Sequence, residues 1–270
     1  IIGLLVIIYT LIGGTQAVNV TQKQQMFIIF SGMMAAFIFI VRSLPENLTF
    51  SNALQLAGMN DKLDVLDFSF DFENRYTFWS GITGGLFLSL SYFGTDQSQV
   101  QRYLSGKSLL ESQMGLIMNG FLKIPMQFFI LLIGVLVFIF FQYEKTPINF
   151  NPYVIEKVNE TNKREDFNAL VTANEIIHLE KQKQLKQKDF FINQQLQSQY
   201  LQLEKKSKKN RKEAKKLIEK IEPKVEANDK DYIFIYFILN YLPQGLIGLL
   251  IAVILSAAMS SSASEINALS

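Results

Sequence analysis

Residues 121–141 read FLKIPMQFFILLIGVLVFIFF. Their one charge is Lys123, and from Ile124 to Phe141 the run carries none. An α-helix rises about 1.5 Å per residue, so about 20 apolar residues cross the roughly 30 Å hydrocarbon core of a bilayer. The run meets that length, and the pattern predicts a membrane-spanning helix from Gly115 to Phe141. Lys123 is then a problem of placement. An ammonium at the centre of a span costs roughly 2.5–3.5 kcal/mol on insertion scales. Near the end of a span its long stem can carry the charge to water. Facing a water-filled cavity, it costs far less than facing lipid. From these residues alone both placements stand open.

Four more runs accompany this one: Ile1–Ile12, Met26–Val41 lengthened by Thr21–Gln25, the Gly- and Ser-rich Phe78–Phe93, and Tyr232–Ser256, interrupted by Asn240 and Pro243. Five such runs predict an all-α membrane protein rather than a soluble helical one. Gly13-Gly14 is expected to end the first span and the polar Thr21–Gln25 to open the next. The chain begins on IIGLLVIIYT, without an initiator Met or a basic n-region, and reads as a fragment of a longer membrane protein.

Charge separates the chain into two populations. Of 50 charged residues, 32 lie between Glu156 and Asp231, so the rest is mostly apolar with a polar block inserted. The block has no Gly or Pro from Tyr153 to Glu222 and is rich in Lys, Gln, Glu and Leu, all good helix formers. Leu196, Tyr200 and Leu203 fit an i, i+4, i+7 stripe, and Leu217, Ile218 and Ile221 a shorter one. A helical hairpin or coiled-coil projection is expected, stopped by Pro223. Its basic run KKSKKNRKEAKK lacks the interleaved aromatics that stack on bases, which argues for a solvated helix face and against nucleic-acid binding. The segment 156–230 is still open to a protein partner. The 43–77 stretch carries Glu46, Asp61, Asp64, Asp67, Asp71 and Glu73 against Lys62 and Arg75, whereas 13–25 and 94–114 carry Lys23, Arg102 and Lys107 against Asp96 and Glu111. The positive-inside tendency puts the latter two in the cytoplasm and the acidic stretch, with 143–231, outside.

With no cysteine and a single histidine, His178, inside the polar block, thiol chemistry and a histidine-based metal site are excluded. There is no nucleophile–base pair and no phosphate loop; Asp96 and Glu265 are lone carboxylates, and no enzyme is predicted. Two stretches carry chemistry instead. In SLSYFGTDQSQVQRYLSGKS, 89–108, Ser89 and Tyr92 share a helix face with Phe93 beside them, a set that can hydrogen-bond and stack on a polar solute or simply pack. In ILSAAMSSSASEIN, 254–267, Ala257, Ser260 and Ser261 share a face. Two hydroxyls and a carbonyl there offer hard oxygens to a small cation, or a small-residue packing surface.

Together these stretches resemble the sodium:solute symporter family of sugar, proline, iodide, vitamin and sialic acid carriers. YTLIGG followed by AV and Thr-x-x-x-Gln is similar to that family's junction between its fourth and fifth core spans. FGTDQSQVQRYLSGKS is close to its cytoplasmic motif, and LPQGLIGLLIA followed by ILSAAMSSSASEIN resembles its sodium-bearing span. The resemblance covers about 190 residues and leaves the 155–231 block outside. It implies part of a LeuT-like inverted-repeat helix bundle. Residues 1–142 would be transmembrane core (the end of core helix 4, then core helices 5, 6 and 7), 143–231 a long, mostly helical extramembrane insertion, and 232–270 core helix 8. Solute and ion sites in such folds lie near the midplane between broken helices.

The resemblance further implies sodium (Na+) held by Ala257, Ser260 and Ser261, and a solute site containing Ser89, Tyr92, Phe93 and Lys123. Lys123 lies 31 residues after Tyr92, where the sugar carriers have a solute-reaching lysine, which favours the cavity placement. Gln22 stands where many relatives have Asp, and Ser89 replaces the sugar carriers' Asn or Thr. The function expected is sodium-coupled symport of a small polar organic solute (a sugar, sugar acid, carboxylate or similar) across the cytoplasmic, or inner, cell membrane by a multi-pass protein. The alternative is a transporter-like membrane sensor or scaffold whose outer coil binds a partner.

Overall fold

The computed structural model describes residues 2–46, 48–64, 67–70, 77–104, 106, 108–221 and 227–269. Asp71, Glu73, Arg75 and Lys107 of the charge reading lie outside these. The described residues form ten helices and no strand: α1 (Ile2–Ser43), α2 (Phe50–Met59), α3 (Phe78–Gly94), α4 (Gln97–Leu104), α5 (Leu109–Tyr143), α6 (Pro152–Asn159), α7 (Arg164–Leu185), α8 (Gln194–Ile221), α9 (Lys230–Tyr241) and α10 (Gln244–Leu269). They group into two compact units. The first is Ile1–Phe37, Asp64–Leu132 and Pro243–Ser270; the second is Ile38–Leu63 and Ile133–Leu242.

Among the described residues, three helices are long and apolar enough to cross a membrane: Gln22–Ser43 within α1, Leu109–Tyr143, and Gln244–Ile266 within α10. The protein is therefore all-α over its described residues, with several membrane-grade helices. Two expected breaks read differently in the structure. Gly13 and Gly14 do not break the helix, because α1 runs unbroken for 42 residues. Each Gly costs a helix only about 1 kcal/mol relative to Ala, and no proline follows to remove a donor, so the ladder continues. The 13–25 stretch is accordingly helix, not loop. The expected Tyr232–Ser256 span is split at Leu242-Pro243. Leu242 is extended (φ −82°, ψ 148°), as a residue before proline prefers, and Pro243 starts α10 by accepting from the N–H groups of Leu246 and Ile247 at 2.9 and 3.1 Å. The third helix, α3, has 17 residues and forms where the Phe78–Phe93 run predicted one. Its start is fixed by a capping box: Thr77 Oγ1 accepts from Ser80 N–H at 3.2 Å, and Ser80 Oγ accepts from Thr77 N–H at 3.0 Å.

In the second unit α7 and α8 pack antiparallel. Asn174 Oδ1 accepts from Ser207 Oγ at 2.9 Å, and two turns along α7 Lys181 pairs with Glu204. The apolar stripes read from the sequence face inward: Tyr200, Leu203 and Ile218 are buried, and Leu217 and Ile221 pack against a cluster of Ile148, Val154, Val158, Phe167, Ala214 and Ala227. Fully burying one such side chain contributes about 1.5–3 kcal/mol, which is how a block this charged can fold.

A polar knot lies under that pair. Lys181 Nζ donates to Gln142 Oε1 at 3.0 Å and to Glu204, and lies 5.6 Å from the Tyr200 ring centroid. Tyr200 Oη donates to Gln142 Oε1 at 2.9 Å, and Asn60 Nδ2 donates to Leu56 O at 2.8 Å. Burial pushes the Tyr200 phenol well above its ordinary range, and Glu204 pushes it further. Nearby, His178 Nε2 meets Glu144 O at 2.8 Å, and burial followed by Lys181 lowers its pKa, favouring the neutral ring. A second clamp closes the return to α9. Buried Asp229 accepts from Arg211 at 2.8 Å, Lys215 at 2.7 Å and the Phe150 N–H at 3.0 Å.

Candidate functional site

The first unit brings three of the four expected solute residues together. Tyr92 and Phe93 lie in the last turn of α3, which ends at Gly94 with Thr95 N–H bonded to Ser91 O at 3.0 Å. Their rings meet edge to face, with centroids 5.0 Å apart at 85°. Lys123, two residues before the proline carried inside α5, places its Nζ 5.9 Å from the Tyr92 ring centroid. That is within cation–π range. Ser89, one turn back along α3, is exposed.

Tyr92 Oη donates to Gln99 Oε1 at 2.9 Å. Gln99 is a residue the sequence reading missed. It lies seven positions on, across the Gly94–Thr95 break, so helix periodicity could not pair it with Tyr92. The lone carboxylate Asp96 has a structural task, since its Oδ1 accepts from Ser98 N–H and Oγ at 3.0 and 2.7 Å and so caps the start of α4. Tyr92, Phe93 and Lys123 are all exposed.

α4 also packs on α10, the helix of the expected sodium ligands. Ala257 and Ser261 are exposed there, and the side chain of Ser260 lies outside the described residues. One turn on, buried Ser264 accepts from Gln22 Nε2 at 3.2 Å. Ser264 is the second residue missed. It belongs to the same Ser-rich run, but only the approach of α1, 242 residues away in sequence, singles it out. No group of three or more His, Cys, Asp or Glu among the described residues could hold a metal. Hydroxyls, amides and carbonyls are the donors this part of α10 offers, and those are ligands suited to a hard monovalent cation. Three cavities of about 390, 350 and 280 Å³ lie in the second unit and include none of these residues.

The model of the sodium:solute symporter family matches residues 1–173, well over half of the chain, and the chain belongs to that family. Among similar curated proteins are the human (Homo sapiens) sodium/iodide cotransporter, 32% identical over 120 residues, and the mouse (Mus musculus) sodium-coupled monocarboxylate transporter 2, 31% identical over 117 residues; each alignment covers 43% of this chain and 18% of the relative. The rabbit (Oryctolagus cuniculus) sodium-dependent multivitamin transporter is 34% identical over 107 residues, 40% of this chain and 16% of that protein. The chain thus spans less than a fifth of the length of these relatives. No solved structure matches. The family match takes in α1 to α6 and part of α7; it stops short of α10.

Proposed function

We propose that this chain is part of a sodium-coupled secondary symporter that moves a small polar organic solute across the cytoplasmic, or inner, cell membrane by alternating access. Membership of a family whose similar curated members are named as sodium-coupled carriers of iodide, monocarboxylates and vitamins supports the coupling ion. The observation that carries the solute reading is the meeting of Tyr92, Phe93 and Lys123, drawn from helices 15 residues apart in sequence. An aromatic corner with an ammonium beside it can stack on a ring or chain and bind a hydroxyl or carboxylate. Sugars, sugar acids and carboxylates are the solute classes of choice. Ser89 supplies a further hydroxyl on the same face.

Sodium is assigned to Ala257 O, Ser260 Oγ and Ser261 Oγ on α10, in a LeuT-like arrangement in which 1–142 and 232–270 are core and 143–231 is an extramembrane insertion. Binding sodium there would favour one of two arrangements of the bundle and so raise solute affinity, by the reciprocity that links any two coupled sites. The sensor reading would instead make the α7–α8 pair a partner-binding surface and leave solute flux independent of sodium. Vesicles bearing the full-length protein, given a panel of labelled sugars, sugar acids and monocarboxylates with and without an inward sodium gradient, separate the two. Uptake that needs sodium supports symport. Uptake of any panel member that ignores sodium, or none at all, supports the alternative.

A further inference from the structure

The cations of the second unit divide into those already neutralised and those that are not. Lys181 is held by Glu204, and Arg211 and Lys215 by Asp229. Lys62, Lys208 and Lys230 have no ion-pair partner among the described residues, and all three are exposed. The chain draws them to one place. Asn60, at the end of α2, meets Tyr200 of α8 at 3.4 Å, and the chain then turns through Asp61 (φ 58°) into Lys62. Lys208 lies two turns beyond Tyr200 on the same side of α8. Asp229, bonded to Arg211, holds Lys230 against α8 within a turn of Lys208. Lys208 and Lys230 both act electrostatically on Lys62. Partial burial of the Lys62 stem is the main cause that lowers its pKa; Lys208 and Lys230 lower it further, and Glu204 and Asp61 oppose them.

The height of the cluster is fixed by Phe138. Lys62 Nζ stands 5.0 Å from the centroid of that ring. Phe138 lies one turn before Phe141, where the apolar run of α5 ends. With α5 spanning a bilayer, the end of its apolar run would lie near the headgroups, and the ammonium beside Phe138 with it. Lys205 and Lys212, also exposed on α8, add to the positive field.

We propose that Lys62, Lys208 and Lys230 form a binding site for the phosphate headgroup of an anionic phospholipid, with Phe138 against the start of its acyl chain. Such a lipid would tie the charged α7–α8 pair down to the bilayer that α5 crosses. Juxtamembrane lysines contribute about 1 kcal/mol each toward anionic lipid, so three predict a preference of roughly 100-fold over a zwitterionic lipid at low salt, and less at high salt.

The test uses the full chain in neutral detergent, titrated separately with phosphatidylglycerol, phosphatidylcholine and inorganic phosphate, with bound molecules counted by native mass spectrometry. The expected result is a strong preference for phosphatidylglycerol. In the Lys62→Gln/Lys208→Gln/Lys230→Gln triple variant it falls to about twofold, and in the corresponding triple arginine variant it is retained. Equal binding of the two lipids by the wild type overturns the proposal, as does an undiminished preference in the glutamine triple or its loss in the arginine triple. Uptake of inorganic phosphate without preference between the lipids also overturns it.

Discussion

Replacing Lys181 by Met should loosen α7 and α8 far more than the loss of one charge on so charged a surface would suggest. Lys181 is 4% exposed and its partner Glu204 8% exposed. The substitution keeps the volume but strands a buried carboxylate and removes a donor from Gln142. Removing one member of a buried pair costs about 3–5 kcal/mol, because the remaining charge stays desolvated. Since about 1.4 kcal/mol is a factor of ten, amide protection in α7 and α8 should fall by two to three and a half powers of ten. Removing both charges is a different perturbation. Lys181→Met/Glu204→Leu leaves no orphan and should regain all but about 1–2 kcal/mol. Hydrogen exchange on the full chain in detergent, followed by mass spectrometry, reads both variants. If Lys181→Met shifts protection by less than about fivefold, the pair does not hold these helices. If the double variant is as loose as the single one, the harm comes from lost polar packing and not from an uncompensated charge.

Asp229→Asn should weaken the joint of α8 with α9 by about 2–3 kcal/mol, since it leaves Arg211 and Lys215, each 28% exposed at the side chain, facing a neutral amide; thermal unfolding measures it. The same joint predicts acid sensitivity. Burial raises the Asp229 pKa, but the Lys215 hydrogen bond, Arg211 and the Phe150 N–H outweigh it, so the folded value lies below the ordinary carboxylate range. Its contribution is thus complete above the ordinary pKa and is lost as pH falls through the depressed folded value. Exchange protection at the start of α9 should drop in that acid window in the wild type but not in Asp229→Asn. Lys123→Ala should raise the half-saturating solute concentration about tenfold or more with normal membrane insertion, whereas unchanged uptake would return Lys123 to a snorkelling role. Tyr92→Phe, which frees Gln99, should cost about 1 kcal/mol in solute affinity by transport assay.

Local signals in the chain report what one helix can report. The run 121–141 is apolar for long enough that α5 follows, and its continuation through Pro125 shows that one missing donor does not stop a 35-residue helix. Pro243 does stop one, since its ring pushes the preceding Leu242 out of the helical region, and Leu242 is extended there. Gly13-Gly14 does not interrupt α1, because glycine lowers helix stability without forbidding it. The apolar stripes of α8 were legible from their spacing. The charges between them were not: Lys181 and Glu204 lie 23 residues apart, and Asp229 lies 18 residues beyond Arg211. In the candidate site, Ser89 and Tyr92 were visible as one helix face, with Phe93 beside them. Their partner Gln99 lay beyond a break in the periodicity, and Ser264 became distinct only through Gln22.

The central claim is that solute flux draws on sodium, and accumulation against a gradient measures it most directly. A tenfold inward sodium gradient stores about 1.4 kcal/mol, enough at one ion per solute to concentrate the solute about tenfold. Vesicles carrying the full-length protein should concentrate one member of the solute panel to that order, and lose the excess when a sodium ionophore collapses the gradient. A final internal concentration that merely equals the external one, or an excess that survives the ionophore, would contradict the account.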